Sequence, residues 1–280
     1  MFRQPISRRQ FLTLPLALFL ALLLAPVGLS LSRAGGGTGR AWAQPEARKA
    51  TYAVDVGILY GLLVFHLDGA LNEAVDRATG RYDVRMAGEG DGIANRIESR
   101  GVFQDGRWTP RETHSWFSVK GRESRSDVAY DWTRRTIAYH FRGETFFLRR
   151  LRVADDLVPV PEAVHVDDAI SATLNYADGR WPPRGDGSYQ THVIRRKKAE
   201  TEGPDDVQTS YRAELVPLVL RVLPDPESGK FTALFDLTRF SSWAKQGQPA
   251  RVTFGPDRRP EAMTMPMILG TSVKIHLRGT

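Results

Sequence analysis

Two-residue alternation of apolar and polar side chains constrains this chain more than any other feature, because strands with one wet face produce that period and helices do not. Val128, Tyr130 and Trp132 fall on one face of such a segment, while Asp127 and Asp131 fall on the other. Ile137, Tyr139 and Phe141 repeat the pattern against His140 and Arg142, as do Val273, Ile275 and Leu277 against Lys274, His276 and Arg278. Phe231, Ala233, Phe235 and Leu237 do the same with Asp236 opposite. Strands of this kind suit antiparallel sheets, which tolerate water on one side. Turn dipeptides separate them at Asp105-Gly106, Lys120-Gly121, Arg142-Gly143, Ser228-Gly229 and Gly255-Pro256. The pattern predicts strands over 51–58, 61–68, 81–88, 93–104, 108–119, 122–131, 135–142, 145–152, 188–200, 208–222, 230–238, 250–254, 260–264 and 271–278.

One segment departs from the alternation. From Asp167 to Tyr176 the residues Ile170, Thr173 and Leu174 share a helical stripe, with Asp167 expected as N-cap, Asp168 at the positive helix end, and Asp178-Gly179 as the stop. So many strands leave edges that must be closed, covered or charged. The expected fold is therefore all-β and mainly antiparallel, a curved sheet or an open or closed β-barrel-like architecture, with one short helix plugging its mouth or covering an edge. A single β-rich domain is expected over 51–280, after a polar linker at 44–50.

The first 43 residues are set apart from that domain as a targeting segment. Ser7-Arg8-Arg9-Gln10-Phe11-Leu12, an apolar run from Leu12 to Leu31 and the small-residue site Ala41-Trp42-Ala43 form a twin-arginine signal peptide. Arg33 and Arg40, between the run and the site, suit the Tat route. The Tat translocase is thus the expected partner during export, and the periplasm the expected location. Pro15, Pro26 and Gly35-Gly36-Gly37 argue against a permanent membrane helix. Five arginines and no acid lie in this segment; without them, 34 basic residues of the original 39 face 32 acidic ones, a balance of about +2. That balance speaks against a nucleic-acid partner. The chain has no cysteine, so packing and hydrogen bonds must hold it without disulfides.

Candidate sites are sparse. The histidines His66, His114, His140, His165, His192 and His276 show no metal-binding spacing, and no Gly-x-Ser-x-Gly elbow or Ser-x-x-Lys at a helix start is present. No catalytic residue, metal or cofactor is assigned. The pairs Asp155-Asp156, Asp167-Asp168 and Asp205-Asp206 read as solvated turns or caps, and Gly88 to Gly92 and Gly185-Asp186-Gly187 as turns. Arg195-Arg196-Lys197-Lys198 and Arg149-Arg150 with Arg152 read as charged edges that block edge-to-edge pairing, with anionic head groups as the competing reading. The ring-rich stretch from Trp108 to Phe147 supplies the expected ligand-binding residues: Trp116, Tyr130, Trp132, Tyr139 and Phe141, lining an apolar cavity in a barrel mouth, or else filling a core.

Particular residues resemble a family of exported bacterial proteins, the domain of unknown function 3108 family. They are Tyr52 to Gly57 with Tyr60-Gly61, Asp167 to Ala172 with Asp178-Gly179, and Phe254-Gly255-Pro256-Asp257-Arg258-Arg259-Pro260 before Gly270 to Val273. The resemblance covers about 50–278 and implies an exported β fold that wraps on itself; it carries over no catalytic residue. The chain departs from it at Thr201 to Asp206, an expanded loop. The leading expectation is a non-enzymatic periplasmic protein that binds an apolar or amphiphilic ligand, a lipid, or an envelope protein. The alternative is a periplasmic hydrolase or metal-dependent enzyme using loop-borne His and Asp/Glu.

Overall fold

A computed structural model describes residues 46–145, 147–199, 201–203 and 205–279. Residues 1–43, where a Tat signal peptide is expected, lie outside the described residues. Fourteen strands form one antiparallel sheet: β1 (Glu46–Ile58), β2 (Leu63–Asp76), β3 (Arg81–Gly90), β4 (Ile93–Gln104), β5 (Arg107–Val119), β6 (Arg122–Asp131), β7 (Thr136–Glu144), β8 (Leu151–Pro159), β9 (Tyr189–Arg196), β10 (Ala213–Pro224), β11 (Phe231–Phe235), β12 (Ala250–Phe254), β13 (Pro260–Pro266) and β14 (Ser272–Gly279). The only described helix, α1 (Ala169–Ala177), lies between β8 and β9. Spatial order runs β8 back to β1 and then β14 back to β9, so neighbours in space are neighbours in sequence except where β1 meets β14. The all-β, nearly closed barrel expected from alternation is the fold.

Several boundaries differ from expectation, each for a local reason. Residues 46–50, expected as linker, open β1 and pair with β2 from Glu46↔Val75 onward. Arg142-Gly143 is not a turn. Gly143 sits inside β7, where a Cβ would lie 2.8 Å from the Phe141 ring, and the chain reverses only after Glu144, so β8 begins at Leu151. The helix cap shifts by one residue: Asp168 accepts the Ser171 backbone N–H and the Ser171 hydroxyl accepts from the Asp168 backbone, a capping box that leaves Asp167 outside.

The two sheet edges overlap rather than meet. On β9, Val193 enters the main core with Val216, Leu218 and Leu220 of β10, while Ile194 packs into a second cluster with Val128, Tyr130, Ile137, Tyr139 and Phe141. Both faces of β9 are therefore covered, one by the lumen and the other by the inner face of β6–β8. One parallel bridge, Ala154↔Tyr211, ties the edges, together with Asp156, which accepts from the Ala213 N–H at 2.9 Å and pairs with Arg212 at 3.1 Å. An edge that would template aggregation is thus hidden without a closing ladder.

Inside the barrel lies α1, buried from Ile170 through Tyr176. It touches opposite walls: Tyr176 packs on Phe254 of β12 at 4.6 Å and on Tyr189 of β9 at 5.1 Å, while Asn175 reaches β5. The Asn175 contact answers a specific deficit. Strand β5 pairs with β6 only from Glu112 to Val119, so its first residues lack a ladder partner on that side. Asn175 accepts from the Trp108 N–H and donates to the Trp108 carbonyl, both at 2.8 Å, and the Trp132 indole donates to the Pro110 carbonyl at 2.6 Å. Trp108 and Trp181 are sealed beside the helix, each burial worth on the order of 5 kcal/mol.

Because the sheet is antiparallel throughout, the β1–β2, β3–β4, β5–β6, β7–β8, β9–β10, β11–β12 and β13–β14 connections gather at one end of the barrel. That end is called the mouth below. The α1 connection, Glu46 and Gly279 lie at the other end.

Candidate functional site

At the mouth, beside the overlap, a cavity of about 620 Å³ opens among the ends of β9, β10 and β11 and their loops. Its volume falls within the range of small-molecule sites. Arg195, Lys198 and Arg239 bring positive charge to its wall, and Thr238, Ser241 and Ser242 bring hydroxyls. Arg195 spends Nε and Nη2 on Glu214 Oε1, at 3.0 and 2.5 Å, which leaves Nη1 buried without a hydrogen-bond partner. A buried guanidinium nitrogen left unmatched is costly, and a ligand oxyanion would relieve it. Burial, then repulsion from Arg195, holds the Lys198 ammonium below the usual lysine range.

Two acids share the wall, Glu202 and Asp236. Both are already engaged. Glu202, buried, receives Arg196 through Nη1 at 2.9 Å and Nη2 at 2.5 Å, Arg152 at 3.7 Å and Gln208 at 3.2 Å. Asp236 accepts from the Thr238 N–H at 2.8 Å. Arg152 also donates to the Asp206 carbonyl, and Asp205 accepts from the Phe147 and Leu148 N–H groups. Residues 201–203 and 205–206 therefore form a clasp binding the overlap from β9 to β8. Of the basic run, Arg195 and Arg196 are locked in ion pairs, which favours the structural reading for both.

Beside the cavity the surface turns apolar. Phe147, half exposed, lies 5.9 Å from the Trp243 ring, Trp243 stands between the lining residues Ser242 and Ala244, and Leu148 is 59% exposed next to Phe147. A cationic, hydroxyl-lined hollow with an apolar lip can hold an anionic head group and a short stretch of acyl chain.

The structure separates the expected ligand-binding residues. Tyr130, Tyr139 and Phe141 are buried together in the second cluster with Trp132 against them, and Trp132 stacks on Tyr130 at 5.7 Å. Arg196 lies over Tyr211 at 4.4 Å and Phe141 at 5.9 Å, so these rings back the clasp. Trp116 points outward and lines a separate polar depression of about 390 Å³ with Arg96, His114 and Arg125. Sequence reasoning reached Lys198 only through the head-group alternative for the basic run, and it missed Arg239 and the serines of the β11–β12 loop.

Asp167-Asp168, expected to be solvated, is instead sealed in the lumen. Asp167 takes Arg107 at 3.0 Å, Thr191 at 2.6 Å, Asn175 and Ser171 at 3.0 Å and His165 at 3.2 Å. Asp168 accepts from Ser99, from Thr113 at 2.6 Å and from the Ser171 N–H at 2.7 Å. Side chains of three strands converge there, so the pair anchors α1 to β4, β5 and β9. The other close His–carboxylate pairs, His66–Asp55, His114–Asp127 and His140–Asp155, lie on the outer surface, and no histidine lines the cavity at the mouth. Among the described residues no three His, Asp or Glu side chains gather as metal ligands.

No family model matches the chain, and no curated protein matches it. Among solved structures it is similar to the crystal structure of a beta-barrel-like protein of domain of unknown function DUF1849 from Brucella abortus. The identity is 13%, the match covers 83% of this chain and 95% of that one, and the TM-score is 0.37.

Proposed function

We propose that this chain is exported through the Tat translocase to the periplasm and there binds an anionic amphiphile of the cell envelope without catalysing a reaction. One observation carries the reading: the cavity at the mouth joins the unpartnered Nη1 of Arg195 and the ammonium of Lys198 to an apolar lip at Phe147 and Leu148. The head group fits against Arg195, Lys198 and the hydroxyls of Ser241 and Ser242, with its chain along the lip. In this reading Tyr130, Trp132, Tyr139 and Phe141 stiffen the wall through Arg196. Kinship with the domain of unknown function 3108 family belongs to the same proposal and rests on the turn and cap residues quoted above.

The test uses residues 44–280, which hold every strand of the fold. Titration with lysophosphatidylglycerol below its micelle concentration, followed by calorimetry, should give saturable binding. Lys198→Gln with Arg239→Gln should weaken it at least tenfold, while lysophosphatidylcholine binds far less well. Equal affinity for the two lipids, or none for either, would overturn the proposal. Periplasmic accumulation that survives Arg8→Lys with Arg9→Lys would overturn the export route.

A further inference from the structure

The mouth ends in an apolar tip that the cavity does not use. In the β1–β2 turn Tyr60 is 90% and Leu62 is 82% exposed, and Leu269 of the β13–β14 turn beside them is 66% exposed. Leu59 and Leu63 extend the same surface. The two turns are joined: the Tyr60 N–H donates to the Gly270 carbonyl at 2.7 Å, and the Tyr60 ring lies so close to Gly270 that a Cβ there would meet it at 2.8 Å. The tip is thus a fixed double prong rather than a loose loop.

Its backbone is strained to present those side chains. Leu59, Tyr60 and Leu269 have φ of 51°, 61° and 57°, the left-handed region that residues with a Cβ avoid. The same geometry is met by Asp91-Gly92, Asp105-Gly106, Lys120-Gly121 and, within the tip, Leu269-Gly270, each with glycine in second place. Only at Leu59-Tyr60 do two large apolar residues occupy both positions. Such strain, together with full exposure, points to a contact made outside the chain.

Positive charge stands at the same end of the barrel as the tip. Lys120, Arg150, Lys197 and Lys245, from four separate connections at the mouth, are exposed and have no acidic partner among the described residues. Lys120 sits 5.2 Å from the Phe65 ring of β2. Of the acids at this end, Asp91 accepts from the His66 N–H at 2.7 Å and Asp205 from the Leu148 N–H at 2.7 Å, while Glu89 and Glu123 are exposed on the strands behind the turns. Both described chain ends, Glu46 and Gly279, lie at the opposite end of the barrel.

From this arrangement we infer that the mouth docks on an anionic phospholipid bilayer. Tyr60, Leu62 and Leu269 enter the interfacial zone, and the lysines and arginine at the same end meet the phosphates. Aliphatic and tyrosine side chains accompanied by long cations match that zone, where apolar tips sink and amphipathic cations reach head groups. Docking stands independently of the ligand assignment, although it turns the cavity toward lipid.

The absence of cysteine permits a clean test. Residues 44–280 carrying Leu62→Cys, labelled with the environment-sensitive dye NBD, are mixed with vesicles of phosphatidylglycerol and phosphatidylcholine, or of phosphatidylcholine alone. Blue-shifted, brightened emission on the anionic vesicles is expected, with none for a label at Glu227→Cys in the β10–β11 turn. Tyr60→Ser with Leu62→Ser and Leu269→Ser should lower vesicle co-sedimentation at least tenfold while circular dichroism stays unchanged. Lys198→Gln should leave the NBD shift intact, which separates docking from head-group capture. Equal response to neutral vesicles, a shift at Glu227→Cys but not at Leu62→Cys, or a protein-concentration-dependent shift without vesicles would each overturn docking; the last would assign the tip to a second copy of the chain.

Discussion

Asp167 and Asp168 are consecutive, both withdrawn from water, and driven in opposite directions. Burial acts to raise the Asp167 carboxyl, but His165, Arg107 and Thr191 overcome it and hold the group below the usual carboxylate range. Burial pushes the Asp168 carboxyl up, against hydrogen bonds from Ser99, Thr113 and Ser171. One residue thus serves as the counter-ion of a partly buried arginine, and the other as a hydrogen-bond hub at the helix start.

The two therefore respond differently to the same substitution. Asp167→Asn strands the Arg107 guanidinium among buried groups and should cost about 3 kcal/mol. Asp168→Asn keeps an oxygen for the Ser171 N–H and offers an amide that Ser99 and Thr113 can accept from, at a cost of about 1 kcal/mol or less. Urea unfolding of both variants checks the order, and a larger loss for Asp168→Asn would contradict it.

Their pH dependence has opposite signs. Asp167 titrates below its unfolded value of about 4, so its contribution is present above that pH and is lost as pH falls through the folded value. Asp168 titrates above its unfolded value, so its contribution is present below about pH 4 and is lost as pH rises through the folded value. Asp168→Asn should flatten the decline in stability as pH rises from about 4 to the folded value, and Asp167→Asn should remove the loss seen as pH falls below about 4. Unfolding midpoints across the two windows measure both.

The clasp predicts local rather than uniform loss. Glu202→Ala leaves Arg196 and Arg152 facing one another without their shared carboxylate, at a cost of about 3 kcal/mol. Hydrogen exchange should speed up most in β8 and β9, whose overlap it holds, and least in β1–β4, which pair along their whole length. Arg150→Ala, at an exposed position, should move stability by less than about 0.5 kcal/mol.

Alternation made the strands legible because each carries a complete period of its own, and the hairpins at Asp105-Gly106 and Lys120-Gly121 have the glycine their backbone demands. Arg142-Gly143 misled because a glycine also serves where the Phe141 ring leaves no room for a side chain. The sealed Asp167-Asp168 pair was hidden because its partners Ser99, Arg107, Thr113 and Thr191 come from three strands far apart in sequence. Trp116 was placed with the inward rings because aromatic content does not report which face a strand turns to the lumen. The cavity was equally silent, since its lining gathers only when β9, β10 and β11 come together at the mouth.

The tip offers the most direct contest between stability and use. Leu59 and Tyr60 hold positive φ without being glycine or asparagine, at about 1–2 kcal/mol each for an ordinary side chain. Leu59→Asn with Tyr60→Gly supplies the pair such turns favour and removes a ring that is almost wholly in water. The double variant should therefore be more stable by about 1–2 kcal/mol and melt higher by roughly 2–8 °C. If the turn were merely a poor solution to chain reversal, that gain would come free. With Tyr60 inserted at a bilayer, the same variant should lose most of its pelleting with anionic vesicles while gaining thermal stability. A scan of Tm beside a co-sedimentation assay reads both quantities on one sample; a stabilised variant that still pellets fully would show that the strain serves something other than membrane contact.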